Sequence, residues 1–258
     1  MALGLMDKAR LIRNFSRSAC LYDQHADMQE KIGLELAGQI KKKDFLKILE
    51  LGCGTGNYTL LLRNKFKASS IKAVDISDKM IDVAKEKLQG RGIEFVVGDA
   101  EDLILGSDFD LITSNACFQW FRALEKTLLR CKSILKKNGE IFFSTFGPRT
   151  FIELNLSLES VLDGNSIAVD EFMPKEKIKQ ILSRDFKAVK LREVKFKKSF
   201  VDVKDLLDKI KYTGTGGGGL ERKMYFSRGL LKEIEKAYLE KFKEVVATYQ
   251  VFFCQAKA

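Results

Sequence analysis

The sequence predicts an α/β protein built on a doubly wound, mostly parallel sheet of seven strands. Between Leu46 and Phe146, short apolar runs alternate with amphipathic stretches, which is typical of parallel strands covered by helices on both faces. The 258 residues are 45% hydrophobic and 31% charged, so a disordered or collagen-like chain is excluded. A chain of this length can form one large α/β domain with helical additions.

Each predicted strand is a short apolar run bounded by loop residues. The seven predicted strands span residues 46–51, 71–76, 93–97, 109–114, 140–146, 188–196 and 249–256. Helices are predicted over residues 57–67, 123–136, 150–162, 174–184 and 228–248. Ser77 is expected to cap a further helix that carries Met80, Ile81 and Ala84 on one face. Two helical stretches are expected before the first strand, and the run Gly214–Gly219 predicts a mobile or backbone-contacting segment or a plain flexible linker.

Charge and cysteine content narrow the possible functions. The chain has 45 Lys and Arg residues against 35 Asp and Glu residues, a net charge of +10. That excess favours an acidic partner such as RNA, an anionic membrane or an acidic protein, but a solvated lysine-rich surface explains it equally well. The five cysteines are widely spaced and there is one histidine, so neither a disulfide framework nor a zinc site is expected, whereas carboxylate-bound Mg²⁺ is compatible with the composition. With no signal-peptide pattern and no run of about 18 apolar residues, we expect a cytoplasmic protein.

The residues most informative about chemistry follow the first two strands. Glu50-Leu-Gly-Cys-Gly-Thr-Gly56 ends the first strand and opens a helix, and glycines there let the backbone turn tightly and approach a ligand. The spacing is Gly-x-Gly-x-Gly rather than the Gly-x-Gly-x-x-Gly of many dinucleotide sites. Asp75 ends the second strand and is placed to accept hydrogen bonds from ribose hydroxyls. These features alone are compatible with either NAD or S-adenosylmethionine.

The ordered set of Glu50–Gly56, Asp75 and Gly98-Asp99-Ala100 resembles the signature of class I S-adenosylmethionine-dependent methyltransferases. The resemblance implies that the glycine turn contacts the methionine and ribose part of the cofactor. It also implies that Asp75 binds both ribose hydroxyls and that Asp99 meets the adenine amino group. Residues 109–115 resemble the element that lies below the transfer site. The implied cofactor-binding residues are Glu50, Gly52, Gly54, Gly56, Asp75, Ile76, Asp99, Ala100 and Asn115.

A narrower resemblance covers nearly the whole chain, to the malonyl-acyl-carrier-protein O-methyltransferases of biotin synthesis. Residues 15–29, 114–120, 143–148 and 207–219 carry it. The run Gly216–Gly219 departs from the family pattern and leaves the register of that loop open. The resemblance implies methyl transfer from S-adenosylmethionine to the free carboxylate of a malonyl thioester on acyl carrier protein, which gives the methyl ester that starts pimeloyl and biotin synthesis.

The predicted acceptor is a carboxylate that is ionised at neutral pH, so it can attack a methyl group without a general base. Catalysis can then depend on positioning and desolvation. Arg149 is the first candidate to hold the carboxylate, because a guanidinium matches it with two parallel hydrogen bonds, and Arg122 is the reserve. Tyr22 is expected to close over the methionine end and steer the substrate, so Tyr22 and Arg149 are the predicted catalytic residues. The remaining predicted substrate contacts are His25, Gln119 and Trp120, although a lone histidine is more often structural and a lone tryptophan as often belongs to the core.

We expect one methyltransferase domain over residues 1–258, with the last strand of its sheet antiparallel to the others. The predicted parts are an N-terminal helical cap (1–45), a cofactor-binding core (46–146), and the remaining sheet (147–258) with lid insertions at about 147–172 and 199–245. The tract Lys187–Lys211 has nine Lys or Arg residues and four acidic residues. It would suit an acidic carrier protein, RNA or a solvated face.

The expected partner is malonyl-acyl carrier protein or malonyl-CoA, and we expect a monomer that uses no metal and binds neither nucleic acid nor membrane. An RNA methyltransferase is the rival enzyme, because the net charge is basic, but no Asn-Pro-Pro-Tyr-type element follows the fourth strand. Methylation of another small carboxylic acid and binding of S-adenosylmethionine without turnover are also compatible with the sequence.

Overall fold

A seven-stranded sheet forms the centre of the protein, and helices cover both of its faces. The computed structural model describes residues 7–41, 44–162, 172–214 and 226–258. In these ranges the strands are β1 (Lys47–Leu51), β2 (Ser70–Asp75), β3 (Ile93–Val97), β4 (Phe109–Ser114), β5 (Leu135–Phe146), β6 (Lys187–Ser199) and β7 (Val246–Lys257). The α-helices are α1 (Lys8–Ser18), α2 (Tyr22–His25), α3 (Asp27–Gln39), α4 (Asn57–Lys65), α5 (Asp78–Lys87), α6 (Leu124–Ile134), α7 (Ile152–Val161), α8 (Lys175–Asp185), α9 (Val203–Thr213) and α10 (Arg228–Phe242).

The order of the strands in the sheet is β3-β2-β1-β4-β5-β7-β6. The pairs from β3 to β5 are parallel, whereas β7 is antiparallel to both of its neighbours, β5 and β6. One strand of the described sheet, the last in the chain, therefore runs against the others, which confirms the predicted fold class. Because β2 and β4 lie on opposite sides of β1, a crevice opens at the carboxyl ends of β1 and β4, where α/β proteins bind ligands.

Two apolar cores lie on the two faces of the sheet. Ile48 and Leu49 are successive, fully buried residues of β1 and point to opposite faces. Ile48 belongs to a cluster that includes apolar residues of α3, α4, α7, α9 and α10. Leu49 packs with residues of α6 and α8 on the other face. Burial on both faces holds the strand ends in place, and these ends position the site.

Pairing within the sheet ends two helices earlier than the sequence predicts. The helix predicted to reach residue 136 ends at Ile134, and β5 begins at once because Leu135 pairs with Phe109 of β4. The helix predicted to reach residue 248 ends at Phe242, where Lys243 adopts a left-handed conformation with φ of 67°. The residues after it join β7, which is buried between β5 and β6. In both places, pairing within the sheet overrides a sequence that is also compatible with a helix.

The division into cap, core and lids remains a prediction. Residues 163–171 of the first predicted lid and 215–225 of the second lie outside the described residues, and the latter include residues 215–219 of the glycine run Gly214–Gly219. Ser77 caps α5 as predicted, with its hydroxyl oxygen accepting a hydrogen bond from the Met80 N–H at 3.3 Å. Across the described ranges, every helix is too short or too polar to span a bilayer.

Candidate active site

The turn after β1 presents its backbone to the crevice. Gly52 and Gly56 have φ values of 74° and 85°, in the left-handed region that side chains disfavour. A Cβ atom on Gly52 would overlap the Cys117 sulfur, and a Cβ on Gly56 would lie 2.9 Å from a methyl carbon of Leu88. Both positions therefore require glycine, for backbone conformation and for the close approach of neighbouring side chains.

Asp75 at the end of β2 is held by this turn. One carboxylate oxygen accepts a hydrogen bond from the Gly54 N–H at 2.8 Å, and the other accepts from the Ser77 N–H at 2.9 Å. Burial raises the pKa of Asp75, while these backbone donors act in the opposite direction. A carboxylate offers about four lone-pair positions, so two hydrogen bonds leave Asp75 able to accept from a ligand.

Two cavities lie side by side at this edge of the sheet. Cavity A measures about 680 Å³ and cavity B about 690 Å³, each including its open mouth. Both are lined by Tyr22, Gly52, Gly54 and Asn115, so Tyr22 stands in the wall between them. The predicted site residues that line cavity A are Tyr22, Gly52, Gly54, Asp75, Ile76, Asp99, Ala100, Asn115 and Trp120. The structure therefore brings together most of the predicted cofactor-binding residues.

Helix α1 forms a wall of cavity A that the sequence analysis did not identify. Lys8, Leu11 and Phe15 line the cavity from one face of this helix. The Lys8 ammonium pairs with the carboxylates of Asp99 and Glu101. Burial alone would lower the pKa of Lys8, but the two carboxylates outweigh it and raise the pKa. The spacing of Lys8, Leu11 and Phe15 on one helical face is the signal that could have revealed this wall.

Glu50 lies behind the glycine turn and lines neither cavity. Its side chain is fully buried, and neither oxygen has a hydrogen-bond partner of normal geometry among the described residues. Burial raises the pKa of Glu50 to about 8; the nearby Thr59 hydroxyl opposes that shift, and the Asp75 carboxylate adds to it. At neutral pH this carboxyl group is therefore mostly protonated. Its predicted cofactor role remains a prediction, as does that of Gly56 at the start of α4.

Tyr22 and Trp120 are the predicted substrate residues that reach a cavity. Burial and the nearby Asp75 raise the pKa of Tyr22 far above neutrality, so its hydroxyl stays protonated and can donate a hydrogen bond. Trp120 packs edge-on against Phe15, with ring centroids 6.0 Å apart, and against Phe172 at 6.2 Å. Trp120 is thus both a core residue and part of the wall of cavity A.

The other predicted substrate residues line neither cavity. The Gln119 amide donates to the Ala116 carbonyl at 2.6 Å and accepts from the Thr145 hydroxyl at 3.1 Å. The His25 ring stacks on Tyr212 of α9, with ring centroids 4.4 Å apart.

The two candidate arginines are exposed on the surface. The Arg149 N–H donates to the Gln250 side chain at 2.8 Å, at the corner between β5 and α7. The Arg122 N–H donates to a carboxylate oxygen of Glu101 at 3.1 Å. Neither arginine lines cavity A or cavity B, so the carboxylate-binding role of Arg149, or of Arg122 as the reserve, remains a prediction.

Comparison with known proteins identifies the family. Residues 49–143 match a family described as a methyltransferase domain. A malonyl-[acyl-carrier protein] O-methyltransferase of Ilyobacter polytropus is 35% identical, with 93% of this chain and 90% of that protein covered. The protein of the same name from Acetivibrio thermocellus is 34% identical over 98% of this chain and 95% of its own length. The chain belongs to the malonyl-[acyl-carrier protein] O-methyltransferase family.

Solved structures extend the comparison of the fold. The YcgJ protein of Bacillus subtilis has a TM-score of 0.60 at 16% identity and covers 88% of this chain and 97% of its own. Phosphoethanolamine N-methyltransferase 2 of Haemonchus contortus, solved with S-adenosyl-L-methionine, has a TM-score of 0.57 at 17% identity and covers 87% of this chain and 52% of its own. The sequence predictions of the family, of a methyltransferase and of its fold are confirmed.

Cavity A of this malonyl-[acyl-carrier protein] O-methyltransferase family member fits S-adenosylmethionine, the predicted cofactor. Asp75 keeps lone pairs for ribose hydroxyls, and Gly54, where a Cβ would have no neighbour within 4 Å, lets a ligand approach the backbone. Asp99 and Ala100 line the same cavity. Aromatic rings of Phe15, Tyr22 and Trp120 also line it, which suits a sulfonium cation.

Proposed function

We propose that this enzyme transfers the methyl group of S-adenosylmethionine to the free carboxylate of malonyl-acyl carrier protein, in biotin synthesis. The observation that carries the proposal is the similarity, over more than nine-tenths of the chain, to relatives that bear that enzyme name. When bound, S-adenosylmethionine supplies an electrophilic methyl group on a sulfonium. A malonyl carboxylate oxygen forms the new bond to carbon, the carbon–sulfur bond breaks, and the electron pair stays on sulfur.

The titratable groups of the site support an acceptor that arrives already ionised. Burial raises the pKa of Tyr22 and that of the Cys117 thiol, so both stay protonated at neutral pH and neither serves as a base. His25, the single histidine of the chain, stacks on Tyr212 and lines neither cavity. A carboxylate with an ordinary pKa near 4 needs no base, because it is deprotonated before it binds.

Tyr22 and Arg149 take the two predicted catalytic roles in this proposal. Tyr22 stands between the cavities, where its hydroxyl donates a hydrogen bond toward the acceptor or the methionine end. Arg149 follows β5 at the carboxyl edge of the sheet, and its exposed side chain aligns the malonyl carboxylate when the acceptor docks. The malonyl thioester would therefore enter between the β5–α7 corner and the N-terminal helices.

An acceptor screen tests the proposed function. The purified enzyme is given malonyl-acyl carrier protein, malonyl-CoA, butyryl-acyl carrier protein and bulk RNA, and S-adenosylhomocysteine formation is measured. We expect the highest kcat/KM for the malonyl carrier protein and no turnover for the butyryl form, which lacks the free carboxylate. Methylation of RNA but not of malonyl thioesters would overturn the proposal. Cofactor binding without turnover on any acceptor would favour a non-catalytic binding protein.

A further inference from the structure

Asp23 connects the short helix α2 to the turn that follows β1. One oxygen of its carboxylate accepts hydrogen bonds from the Thr55 hydroxyl at 2.6 Å and from the Asn57 amide at 3.0 Å. The other oxygen pairs with the Lys87 ammonium at 2.6 Å, and Lys87 also donates to the Asn57 side-chain oxygen. This single carboxylate thus joins α2, the glycine turn, the start of α4 and the end of α5.

The connection lies next to the two cavities. Tyr22, the neighbour of Asp23 in the chain, stands in the wall that cavities A and B share. Thr55 and Asn57, which donate to Asp23, line cavity B, and Thr55 is 2% exposed. The Asp23 contacts therefore fix the distance between the Tyr22 backbone and the turn on which the cofactor is expected to lie.

Asp23 supplies the charged, directional contacts of α2, and two aromatic contacts accompany them: His25 stacks on Tyr212 of α9, and Tyr22 meets Phe15 of α1. Helix α2 has four residues, and no side-chain hydrogen bond caps its N-terminus. The Ser16 and Ser77 hydroxyls form a hydrogen bond at 2.9 Å, but that contact lies on α1. Tyr22 meets Phe15 edge-on at 6.4 Å between ring centroids, a contact with much weaker directional preference than a charged hydrogen bond. A helix this short has little intrinsic stability, so its position depends on such external contacts.

We propose that Asp23 is a positioning residue that holds Tyr22 in the wall between the cavities, and so sets the geometry of methyl transfer. The inference rests on the proposed function, because the role of Tyr22 in turnover is part of that proposal. Asp23 acts through Tyr22 and touches neither the cofactor nor the acceptor. Its loss therefore lowers kcat more than it raises the KM for malonyl-acyl carrier protein.

A double-mutant cycle tests whether Asp23 acts through Tyr22. We compare Asp23→Ala, Tyr22→Ala and the double variant by kcat, by KM for malonyl-acyl carrier protein and by the Kd for S-adenosylhomocysteine. With Tyr22 present, we expect Asp23→Ala to lower kcat about tenfold, the usual effect of losing a charged hydrogen bond. In the Tyr22→Ala background we expect the same change to cost less than about twofold, because coupled residues are not additive. Equal losses in both backgrounds would overturn the proposal and leave Asp23 a structural residue.

Three further variants complete the test. Asp23→Asn keeps an oxygen for Thr55 and loses the ion pair with Lys87, so we expect its kcat to lie between those of Asp23→Ala and the wild type. Glu35→Ala is the matched control, because Glu35 also pairs a cap helix with the body of the protein, through Arg192, but lines neither cavity. It should leave kcat unchanged, and the same loss in Glu35→Ala as in Asp23→Ala would overturn the proposal. If Tyr22→Ala does not fold, Tyr22→Phe replaces it in the cycle.

A failure of the positioning role of Asp23 can be distinguished from a failure of the proposed function. If the wild-type enzyme methylates no malonyl thioester, the proposed function fails, and the cycle is read from the Kd for S-adenosylhomocysteine. Coupling between Asp23 and Tyr22 in that Kd would still support positioning, whereas additivity would refute it.

Discussion

The cofactor side and the acceptor side of the site differ in how completely the described structure assembles them. On the cofactor side, Asp75 is held by two backbone N–H groups, and Gly52 lies directly under Cys117. On the proposed acceptor side, Arg149 is exposed outside both cavities, and the Gln119 amide forms hydrogen bonds with the Ala116 carbonyl and the Thr145 hydroxyl. The cofactor side is built from strand ends and tight turns, whereas the acceptor side depends on helices and corners at the sheet edge.

The difference indicates an order of events. A site built from the backbone at strand ends is organised before its ligand arrives, which minimises the cost of ordering it. For a site that depends on exposed side chains, we expect the acceptor to complete the arrangement when it docks. The comparison predicts that substitutions on the two sides separate cofactor binding from turnover.

The largest effect is expected for Arg149→Ala. We expect kcat/KM for malonyl-acyl carrier protein to fall by about two to four decades, because a buried carboxylate that loses its partner typically costs about 3–5 kcal/mol. The Kd for S-adenosylmethionine should be unchanged in calorimetry. Arg149→Lys should fall between the wild type and Arg149→Ala, because an ammonium keeps the charge but not the planar fork. Near-wild-type turnover of Arg149→Ala would contradict the assignment of Arg149 to the acceptor side. The carboxylate-binding role would then pass to Arg122.

The next effect is expected for Asp75→Ala, on the cofactor side. The ribose hydroxyls would lose a charged acceptor, and each such hydrogen bond is worth about 1.5–3 kcal/mol. The affinity for S-adenosylmethionine should therefore fall at least about tenfold in calorimetry. Asp75→Asn is the matched control, because it keeps one acceptor oxygen and should lose less. Unchanged affinity in Asp75→Ala would remove this residue from the cofactor site.

Glu50 gives a third test, through pH. Burial raises its pKa from 4.5 to about 8, so between these values the folded protein binds more protons at Glu50 than the unfolded chain does. The contribution of Glu50 to stability is therefore fully present below about pH 4.5 and is lost as the pH rises toward 8, by roughly 1.4 kcal/mol per pH unit. Urea unfolding at several pH values should show this fall in the wild type and a flatter profile in Glu50→Gln. Parallel profiles for the two proteins would mean that Glu50 is ionised when folded.

The cofactor side could be predicted from the sequence more completely than the acceptor side, for the same structural reason. Gly52 and Asp75 were identified because a tight turn at a strand end needs glycine and places the next strand's acid beside it, which leaves a local trace in the sequence. The spacing of Lys8, Leu11 and Phe15 indicates a helical face, but the contact of Lys8 with Asp99 joins residues 91 positions apart and is a tertiary property that no local pattern reveals. The start of β7 was misplaced for a related reason, since its pairing with β5 and β6 is a tertiary property.

The smallest effect is expected on the basic edge of the sheet. Strand β6 is the outermost strand of the sheet and runs in the same direction as β5. Its carboxyl end therefore lies on the same side as the carboxyl ends of the parallel strands, where the site is. Lys195 and Lys197 are exposed there, whereas Lys198 pairs with Asp27. We expect the change of Lys195 and Lys197 to Glu to raise the KM for malonyl-acyl carrier protein several-fold, because a peripheral charge acts mainly on the association rate.

The control for this prediction uses two lysines at the amino end of β5, on the side of the sheet opposite to the site. Lys132 at the end of α6 and Lys137 at the start of β5 are also exposed, but they lie at the amino end of β5, away from the site. Their change to Glu alters the net charge equally and should leave the KM for the carrier protein near its wild-type value. The KM for malonyl-CoA should not change in either double variant, because it lacks the acidic protein surface. If both double variants raise the KM for malonyl-acyl carrier protein equally, the interaction depends on overall charge. Lys195 and Lys197 would then not belong to the acceptor side.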